Sequence, residues 1–349
     1  MLSVIGLDIG GANIKGCWLS IHQGRILDAE GDSVYYEVWR DPTGIRNVLK
    51  SFQQKWSRGL QGIALTMTAE LCDIFKTKAE GVIAILRQVE EVFTGVPIFV
   101  WTTSGVFISP SETKKNPLEA AAANWLASAT ALARSPLVGE DPVLLIDMGS
   151  TTTDILPVVR GEVAVRGHTD LERLLAGELV YTGVLRTQVN SIVDYVFVKG
   201  FQSKVAHEYF TITADVYRLL GLITLEDYNV PTPDGAGRDP QDCARRLARI
   251  VASEPEVFGS DGVYAIARYV QEKQIQQIME AIWQVLSRLE WLSSKLLITA
   301  GQGSFLLTEV ARRLGWEAIP WWEMIPGGRP ECAMTAFTVA WLLTTQLKL

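Results

Sequence analysis

The sequence has little of what several classes of protein require. Its three histidines are too dispersed to form a metal triad, and its four cysteines, with no Cys-x-x-Cys spacing, are typical of free thiols in a reducing compartment. The 32 Lys and Arg residues form no block and are outnumbered by 39 Asp and Glu, which argues against nucleic acid as the main partner. No apolar run approaches the roughly 18 residues of a membrane span, so we expect no membrane partner.

Several catalytic motifs are also absent. The chain has no Gly-x-Ser-x-Gly, no Walker A loop and no His-Glu-x-x-His, so hydrolase triads, P-loop nucleotide sites and zincins lack support. The apolar start carries Asp8, which is unlike a signal peptide. We therefore expect a cytoplasmic protein. Its 349 residues, 48% of them hydrophobic, can bury the core of two domains.

One pattern is used twice. Residues 5–16 read Ile-Gly-Leu-Asp-Ile-Gly-Gly-Ala-Asn-Ile-Lys-Gly, and residues 144–155 read Leu-Leu-Ile-Asp-Met-Gly-Ser-Thr-Thr-Thr-Asp-Ile. In both, an apolar run ends in Asp and a turn of Gly and small polar residues follows, which predicts a strand, a turn and a second strand. Such turns bring backbone N–H groups close to an anion, so we predict phosphate sites. The predicted phosphate-binding residues are Gly10, Gly11, Asn13, Gly149, Ser150, Thr151, Thr152 and Thr153.

Carboxylates accompany both turns. Asp8 and Asp147 end the incoming strands, and Asp154 follows the second turn. A carboxylate about 4 Å from a phosphate oxygen is repelled by roughly 4 kcal/mol at an effective dielectric near 20. The combination therefore requires a divalent cation, for which Mg²⁺ is best suited. We predict these three acids as metal-associated, Asp8 or Asp154 as a catalytic base, and Lys15 as a balancing charge.

The doubled turn resembles the superfamily of acetate kinase, sugar kinases, Hsp70 and actin. That resemblance implies an α/β fold of two ribonuclease H-like lobes with a nucleotide in the cleft between them. Residues 296–305 form a buried strand running into Gly301 and Gly303, which resembles the adenosine loop of the superfamily. ATP is therefore one expected ligand. We predict lobe I at 1–138, completed by a helix at 331–349, and lobe II at 139–330.

Apolar periodicity predicts the elements that frame these turns. Helices predicted at 116–133 and 331–347 carry small residues that let them pack together. A strand at 61–65 runs into a polar loop containing Glu70 and Asp73, which are candidate site acids or helix caps. Further predicted strands include 17–20, 25–30, 33–38, 97–101 and 162–166, and further predicted helices include 43–56, 78–93, 212–220 and 262–292.

Five blocks give a nearer resemblance, to the hydantoinase/oxoprolinase-related proteins linked to tetrahydromethanopterin-dependent one-carbon metabolism. The blocks are residues 6–15, 65–82, 122–125, 146–155 and 169–183. The resemblance implies a transferase of methanofuran biosynthesis, in which the phenol oxygen of γ-glutamyltyramine displaces pyrophosphate from an aminomethylfuran-methyl diphosphate. Together with the candidate loops above, it gives the further substrate-binding residues Glu70, Asp170, Arg173, Glu178, Gly301 and Gly303.

Two other functions stay open on the residues alone. An ATP-dependent small-molecule kinase or a hydantoinase/oxoprolinase-like lactam hydrolase would use the same turns for a nucleotide, with residues 301–303 against adenine. A non-catalytic nucleotide switch would need a partner surface. We expect small-molecule substrates as partners and leave a homodimer open.

Overall fold

The computed structural model describes residues 2–23, 25–289 and 295–347, and every structural statement below concerns these residues. The strands are β1 Leu2–Ile9, β2 Asn13–His22, β3 Arg25–Tyr35, β4 Leu60–Met67, β5 Ile98–Trp101, β6 Phe107–Ile108, β7 Val143–Met148, β8 Thr153–Val159, β9 Glu162–Val163, β10 Leu179–Val180, β11 Tyr195–Val198, β12 Phe201–Lys204, β13 Leu296–Ala300 and β14 Glu317–Pro320. The α-helices are α1 Ile45–Lys55, α2 Lys78–Val92, α3 Pro110–Lys115, α4 Asn124–Ala133, α5 Asp170–Ala176, α6 Thr213–Leu219, α7 Pro240–Arg249, α8 Pro255–Leu286, α9 Ser304–Leu314, α10 Trp321–Met324 and α11 Met334–Leu347.

The chain forms two compact units. Unit 1 comprises residues 1–144, 156–170 and 319–349, and unit 2 comprises residues 145–155 and 171–318. The first six-stranded sheet has the order β3-β2-β1-β4-β5-β6, and the second has the path β10-β8-β7-β13-β14, with β9 paired to β8. In the described part of the chain, no helix combines the length and apolar character needed to cross a membrane.

The first sheet begins with the predicted hairpin, which is confirmed. β1 pairs antiparallel with β2 from Leu2↔Ile21 to Ile9↔Ile14, and parallel with β4. The three short strands predicted at 17–20, 25–30 and 33–38 are instead parts of the two long strands β2 and β3. Gly31 lies between the two strands predicted at 25–30 and 33–38, but in the structure it pairs with Cys17 inside the β2–β3 ladder. A Cβ there would lie 2.6 Å from the Glu331 carbonyl oxygen, so this glycine permits close packing rather than a turn.

Strand β1 is covered on both faces because alternate residues point to opposite sides of a sheet. Ile5, Leu7 and Ile9 pack in one apolar core with α1 and α2. On the other face lies α11, where a Cβ on Gly6 would come within 2.0 Å of the Ala336 carbonyl oxygen. Helix α11 also packs against α4, as the small residues in both predicted.

The helix predicted at 116–133 is broken. A 3₁₀ turn, Pro117–Ala120, precedes α4, and between them Ala122 has a φ of +50°. Ala121 forms a parallel bridge with Met67 at the end of β4. The alanine run favours helix locally, but the tertiary bridge takes precedence. The helix predicted at 262–292 corresponds to the main part of α8. Gly259, with a φ of +68° and a ψ of 172°, interrupts α8 near its start, so the continuous helix begins just after it, close to the predicted start, and ends at Leu286. The predicted end at Leu292 lies outside the described residues.

Unit 2 contains a buried ion pair among α6, α7 and the loop before α7. Arg246 and Asp215 have side chains that are 0% exposed, and Asp215 Oδ1 accepts from Arg246 Nη2 at 2.7 Å and Nε at 2.9 Å. The Tyr228 hydroxyl donates to the same oxygen at 2.8 Å. Burial opposes ionisation of the guanidinium, but its hydrogen bonds to Asp215 and the charge of that carboxylate raise the pKa of Arg246 overall. The pair is therefore charged and forms part of the core of this unit.

Candidate active site

The turn between β1 and β2, residues 10–13, leaves two backbone donors available. The Gly10 N–H donates to the Asn13 carbonyl at 3.0 Å, and the carbonyls of Gly11 and Ala12 accept from Val38 and Tyr36. The N–H groups of Gly11 and Ala12 form no hydrogen bond with a described residue. Two adjacent backbone N–H groups of this kind are suited to binding an anion.

The Asp8 carboxylate lies at the base of this turn and is 2% exposed. Its Oδ2 atom accepts from the Thr335 hydroxyl at 2.6 Å and from Lys15 Nζ at 3.2 Å. Its Oδ1 atom is buried and has no hydrogen-bond partner among the described residues. Lys15, predicted to balance charge near phosphate, thus pairs with Asp8 itself. Thr335 was not found from the sequence, since no local pattern marks it.

The loop after β4, residues 68–75, lies beside the same turn and carries Glu70. β1 and β4 are parallel neighbours, with Asp8 opposite Thr66, and the Thr68 N–H donates to the Ile9 carbonyl at 3.0 Å. A Cβ on Gly10 would lie 3.5 Å from Thr68 Oγ1. The carboxyl ends of these two strands therefore bring Asp8 and Glu70 to one edge of the sheet.

Glu70 is 1% exposed, and neither carboxyl oxygen has a hydrogen-bond partner in the described chain. Burial raises its pKa to about 8. The N–H groups of Glu70 and Ala122, which lie near the carboxyl without meeting hydrogen-bond geometry, and the Lys78 ammonium oppose this rise, while the Asp170 charge adds to it. Lys78 and Asp170 lie 3.9 Å from each other and act on this pKa in opposite directions. Glu70 is therefore mostly protonated at neutral pH.

This raised pKa predicts that Glu70→Gln stabilises the protein in a pH-dependent way. Between pH 4.5 and about 8, the folded chain keeps a proton that the unfolded chain releases. The folding equilibrium constant of the wild type therefore falls by about tenfold for each pH unit in this window, and it does not fall further above the window. Urea unfolding at several pH values should show the variant gaining on the wild type as pH rises. Glu80→Gln, an exposed glutamate on α2, is the control and should show no such trend.

The second turn, residues 149–152, repeats the geometry of the first within unit 2. The Gly149 N–H donates to the Thr152 carbonyl at 2.9 Å, as Gly10 does to Asn13. As in the first turn, carbonyl groups of the turn accept hydrogen bonds from residues beyond it. The Gly149 carbonyl accepts from the Val184 N–H, and the Ser150 carbonyl accepts from the N–H groups of Leu185 and Arg186. The N–H groups of Ser150 and Thr151 form no hydrogen bond with a described residue. The two sequence repeats therefore fold into the same kind of turn.

The carboxylate of Asp154, just after this turn, is part of an ion pair. Its Oδ1 atom accepts from Arg173 Nη2 at 2.5 Å, and Arg173, which is 2% exposed, also donates to the Glu178 carbonyl at 3.2 Å. The Glu178 carboxylate, 0% exposed, is paired with Arg288. These contacts join α5 and β10 to β8. Arg288, which lies near the end of α8, was not found from the sequence.

The glycines after β13 allow a close approach to the end of β7. Gly301 has a φ of +83°, and a Cβ there would lie 2.3 Å from the Met148 carbonyl oxygen and 2.4 Å from Asp147 Oδ1. The Gly303 N–H donates to the Met148 carbonyl at 2.9 Å. In the structure, Gly301 and Gly303 therefore allow the chain to pack against the end of β7, the strand that leads into the second turn.

The predicted site residues fall into two groups, one in each unit. Unit 1 holds Asp8, Gly10, Gly11, Asn13, Lys15, Glu70 and Asp170, whereas unit 2 holds Asp147, Gly149, Ser150, Thr151, Thr152, Thr153, Asp154, Arg173, Glu178, Gly301 and Gly303. Within the described ranges, no group of three or more His, Cys, Asp or Glu side chains gathers as a metal site by itself.

Comparison with known proteins agrees with the sequence motifs. The hydantoinase/oxoprolinase family model matches residues 61–324. The (4-{4-[2-(γ-L-glutamylamino)ethyl]phenoxymethyl}furan-2-yl)methanamine synthase of Methanocaldococcus jannaschii is 35% identical over 351 residues, covering 99% of both chains. A protein of the same name from Methanococcus vannielii is 34% identical over 171 residues, which are 49% of this chain and 75% of that one.

Among solved structures, the nucleotide-free structure of acetone carboxylase superposes with a TM-score of 0.62 at 12% identity, covering 97% of this chain and 70% of that one. At this identity the likeness concerns the fold alone. The α/β fold predicted from the doubled turn, with one strand–turn–strand repeat in each of two units, is confirmed. With a family model matched over most of its length and a relative matched end to end, the chain belongs to the hydantoinase/oxoprolinase family.

Proposed function

We propose that the chain is a transferase of methanofuran biosynthesis that joins an aminomethylfuran-methyl diphosphate to γ-glutamyltyramine and releases pyrophosphate. The observation that carries this proposal is the 35% identity, over 99% of both chains, to the named synthase. None of its four cysteines forms a disulfide, which suits a cytoplasmic enzyme.

The product named for that relative defines the bond to be made. It contains a phenoxymethyl-furan, so an ether joins the phenol oxygen to a methylene carbon on the furan. Forming this ether from a phenol requires a good leaving group on that carbon, and the electron-rich furan stabilises the positive charge that develops as the group departs. Catalysis then depends mainly on holding a diphosphate whose negative charge grows.

The two turns supply groups suited to that task. Each offers adjacent backbone N–H groups that bond to no described residue, at Gly11 and Ala12 in one and at Ser150 and Thr151 in the other. Fixed N–H donors of this kind stabilise phosphoryl oxygens without having to reorganise. We assign the binding of phosphoryl groups to these turns.

Mg²⁺ fits the donor set of unit 1. The buried Oδ1 atom of Asp8 has no hydrogen-bond partner in the described chain, which is the state expected of an oxygen reserved for a cation. Mg²⁺ is commonly held by one or two carboxylates together with substrate phosphates and water, so a three-carboxylate cluster is not required. When bound, the ion would neutralise charge on the leaving diphosphate. Asp154 is engaged with Arg173, and the metal role of Asp147 stays a prediction.

A direct assay tests the proposal. The purified protein is incubated with Mg²⁺ and either ATP or the furan diphosphate plus γ-glutamyltyramine, and phosphate, pyrophosphate and the ether product are measured. We expect pyrophosphate and ether in equal amounts, only when both organic substrates are present.

Two outcomes would contradict the proposal. ATP turnover without furan-dependent pyrophosphate would indicate the kinase or lactam hydrolase activity. Pyrophosphate release that does not depend on γ-glutamyltyramine would indicate a diphosphatase. A reaction without added Mg²⁺ and with a chelator separates the metal proposal from the assignment of substrates.

A further inference from the structure

We propose that the Glu70 carboxyl group gives its proton to the departing pyrophosphate and then takes the proton of the phenol, acting first as an acid and then as a base. This inference rests on the proposed function. It assigns the proton transfer to a residue other than Asp8 and Asp154, the two candidates that the sequence suggests.

The first observation is the state of the Glu70 side chain. Its two oxygens are buried without a hydrogen-bond partner in the described chain, although a buried polar group is ordinarily bonded. The helix α2 is pressed against it, since a Cβ on Gly81 would lie 2.7 Å from Glu70 Cα. A carboxyl group kept in this state is destabilising, so a function is the simplest reason to find one.

The second observation is its position. Glu70 follows β4 by three residues, and β4 is the parallel neighbour of β1, whose end carries Asp8 and the first turn. A diphosphate held at the first turn would therefore lie at the same sheet edge as Glu70. Asp8 is bonded to both Thr335 and Lys15, whereas Glu70 has no such partner to lose.

The third observation is charge. The charged groups whose fields reach Glu70 are Lys78 at the start of α2 and Asp170 at the start of α5, and these two lie 3.9 Å apart. Their opposing effects leave burial dominant, so the carboxyl is protonated at neutral pH. A neutral acid beside a diphosphate avoids the repulsion that a carboxylate would suffer, and it holds the proton that the leaving group needs.

The proton balance closes on one residue. The bond between the furylmethyl carbon and the diphosphate oxygen breaks with both electrons going to oxygen, which takes the proton of Glu70. The phenol oxygen forms its bond to that carbon and releases its proton to the Glu70 carboxylate. Glu70 returns to its starting state, since the proton that it gave to the pyrophosphate is replaced by the proton of the phenol.

Access to the carboxyl involves the loop that carries it. Because Glu70 is 1% exposed, its contact with the substrate requires movement of the 68–75 loop, on which Leu71 and Ile74 are each 46% exposed. Enclosure also serves a proton carrier, because a carboxyl open to bulk water would exchange its proton with solvent before transfer.

The experiment compares the wild type with Glu70→Gln, Glu70→Asp and Glu80→Gln. For the wild type, kcat/KM is expected to hold up to about pH 8 and to fall tenfold per pH unit above it, because the protonated form starts the reaction. Glu70→Gln should lower kcat on the order of 10²–10⁴-fold, lose the alkaline fall and keep the KM for the furan diphosphate. Glu70→Asp should retain the alkaline fall, and Glu80→Gln should match the wild type.

The possible failures are distinct. A wild type that forms no ether overturns the proposed function and this inference with it. A wild type that forms ether while Glu70→Gln keeps both its kcat and the alkaline fall overturns only this inference. If Glu70→Gln has an unchanged kcat and a raised KM, Glu70 binds the aminomethyl ammonium instead of transferring a proton. That result also overturns this inference.

Discussion

Asp8→Asn is expected to slow pyrophosphate release on the order of 10²–10³-fold while changing the free energy of unfolding by only about 1 kcal/mol. The asparagine oxygen can still accept from the Thr335 hydroxyl, which donates to Asp8 Oδ2 at 2.6 Å. The pair with Lys15 is lost, but that lysine is 32% exposed and can be solvated. What the variant lacks is a charged oxygen at the Oδ1 position, where no described residue supplies a partner.

Activity and stability have to be measured on the same preparations to separate the two effects. Asp32→Asn is the matched control, because Asp32 is also on the first sheet and pairs with Lys55 at 3.2 Å, yet is 38% exposed. The control should keep full activity and similar stability. An Asp8→Asn protein that retains wild-type turnover would show that the reaction does not need this carboxylate, and one that unfolds would show that the carboxylate serves the fold.

Asp215→Asn is expected to produce the largest loss of stability, about 3–5 kcal/mol, because it leaves the buried guanidinium of Arg246 without its main counter-charge. The side chains of both partners are 0% exposed, and two of the three guanidinium nitrogens donate to Asp215. Tyr228 would also lose a charged acceptor. Burial of an unpaired charge is among the few mechanisms that give effects of this size.

Asp234→Asn provides the comparison on the same arginine. Asp234 accepts from Arg246 Nη1 at 3.0 Å but is 27% exposed, so its loss should change stability by about 1 kcal/mol or less. Urea midpoints of both variants, measured by circular dichroism at neutral pH, would test the difference. Equal midpoints for the two variants would mean that the buried pair contributes no more than the exposed one.

The local patterns were sufficient to predict the main elements of the fold. Apolar spacing predicted a helix at 43–56, and the structure has a 3₁₀ turn followed by α1 at Ile45–Lys55. Both turns were predicted from an Asp followed two residues later by Gly, and both close with the same Gly N–H bond. These features depend on residues close together in sequence, which one chain is enough to reveal.

The parts that failed depend on distant residues. The alanine run at 120–123 predicts helix, but its bridge to Met67 and the positive φ of Ala122 come from the end of β4. Glu70 was found as a candidate acid, yet its burial against α2 without a hydrogen-bond partner in the described chain is a tertiary feature that no residue spacing encodes. Likewise, the arginine opposite Glu178 and the hydroxyl opposite Asp8 come from segments far along the chain, the turn after α8 and helix α11.

The hydrogen bond between Thr335 and Asp8 spans 327 positions of the chain. During synthesis, Asp8 is made long before α11, the helix whose Thr335 donates to it. One face of β1 therefore stays uncovered while the whole of unit 2 is translated. Contacts of such long separation slow folding, since their loop must close before they stabilise anything. Release of α11 from the ribosome should therefore be the step that completes the carboxylate site, and a nascent chain halted before residue 334 should contain a folded unit 2 beside an incomplete unit 1.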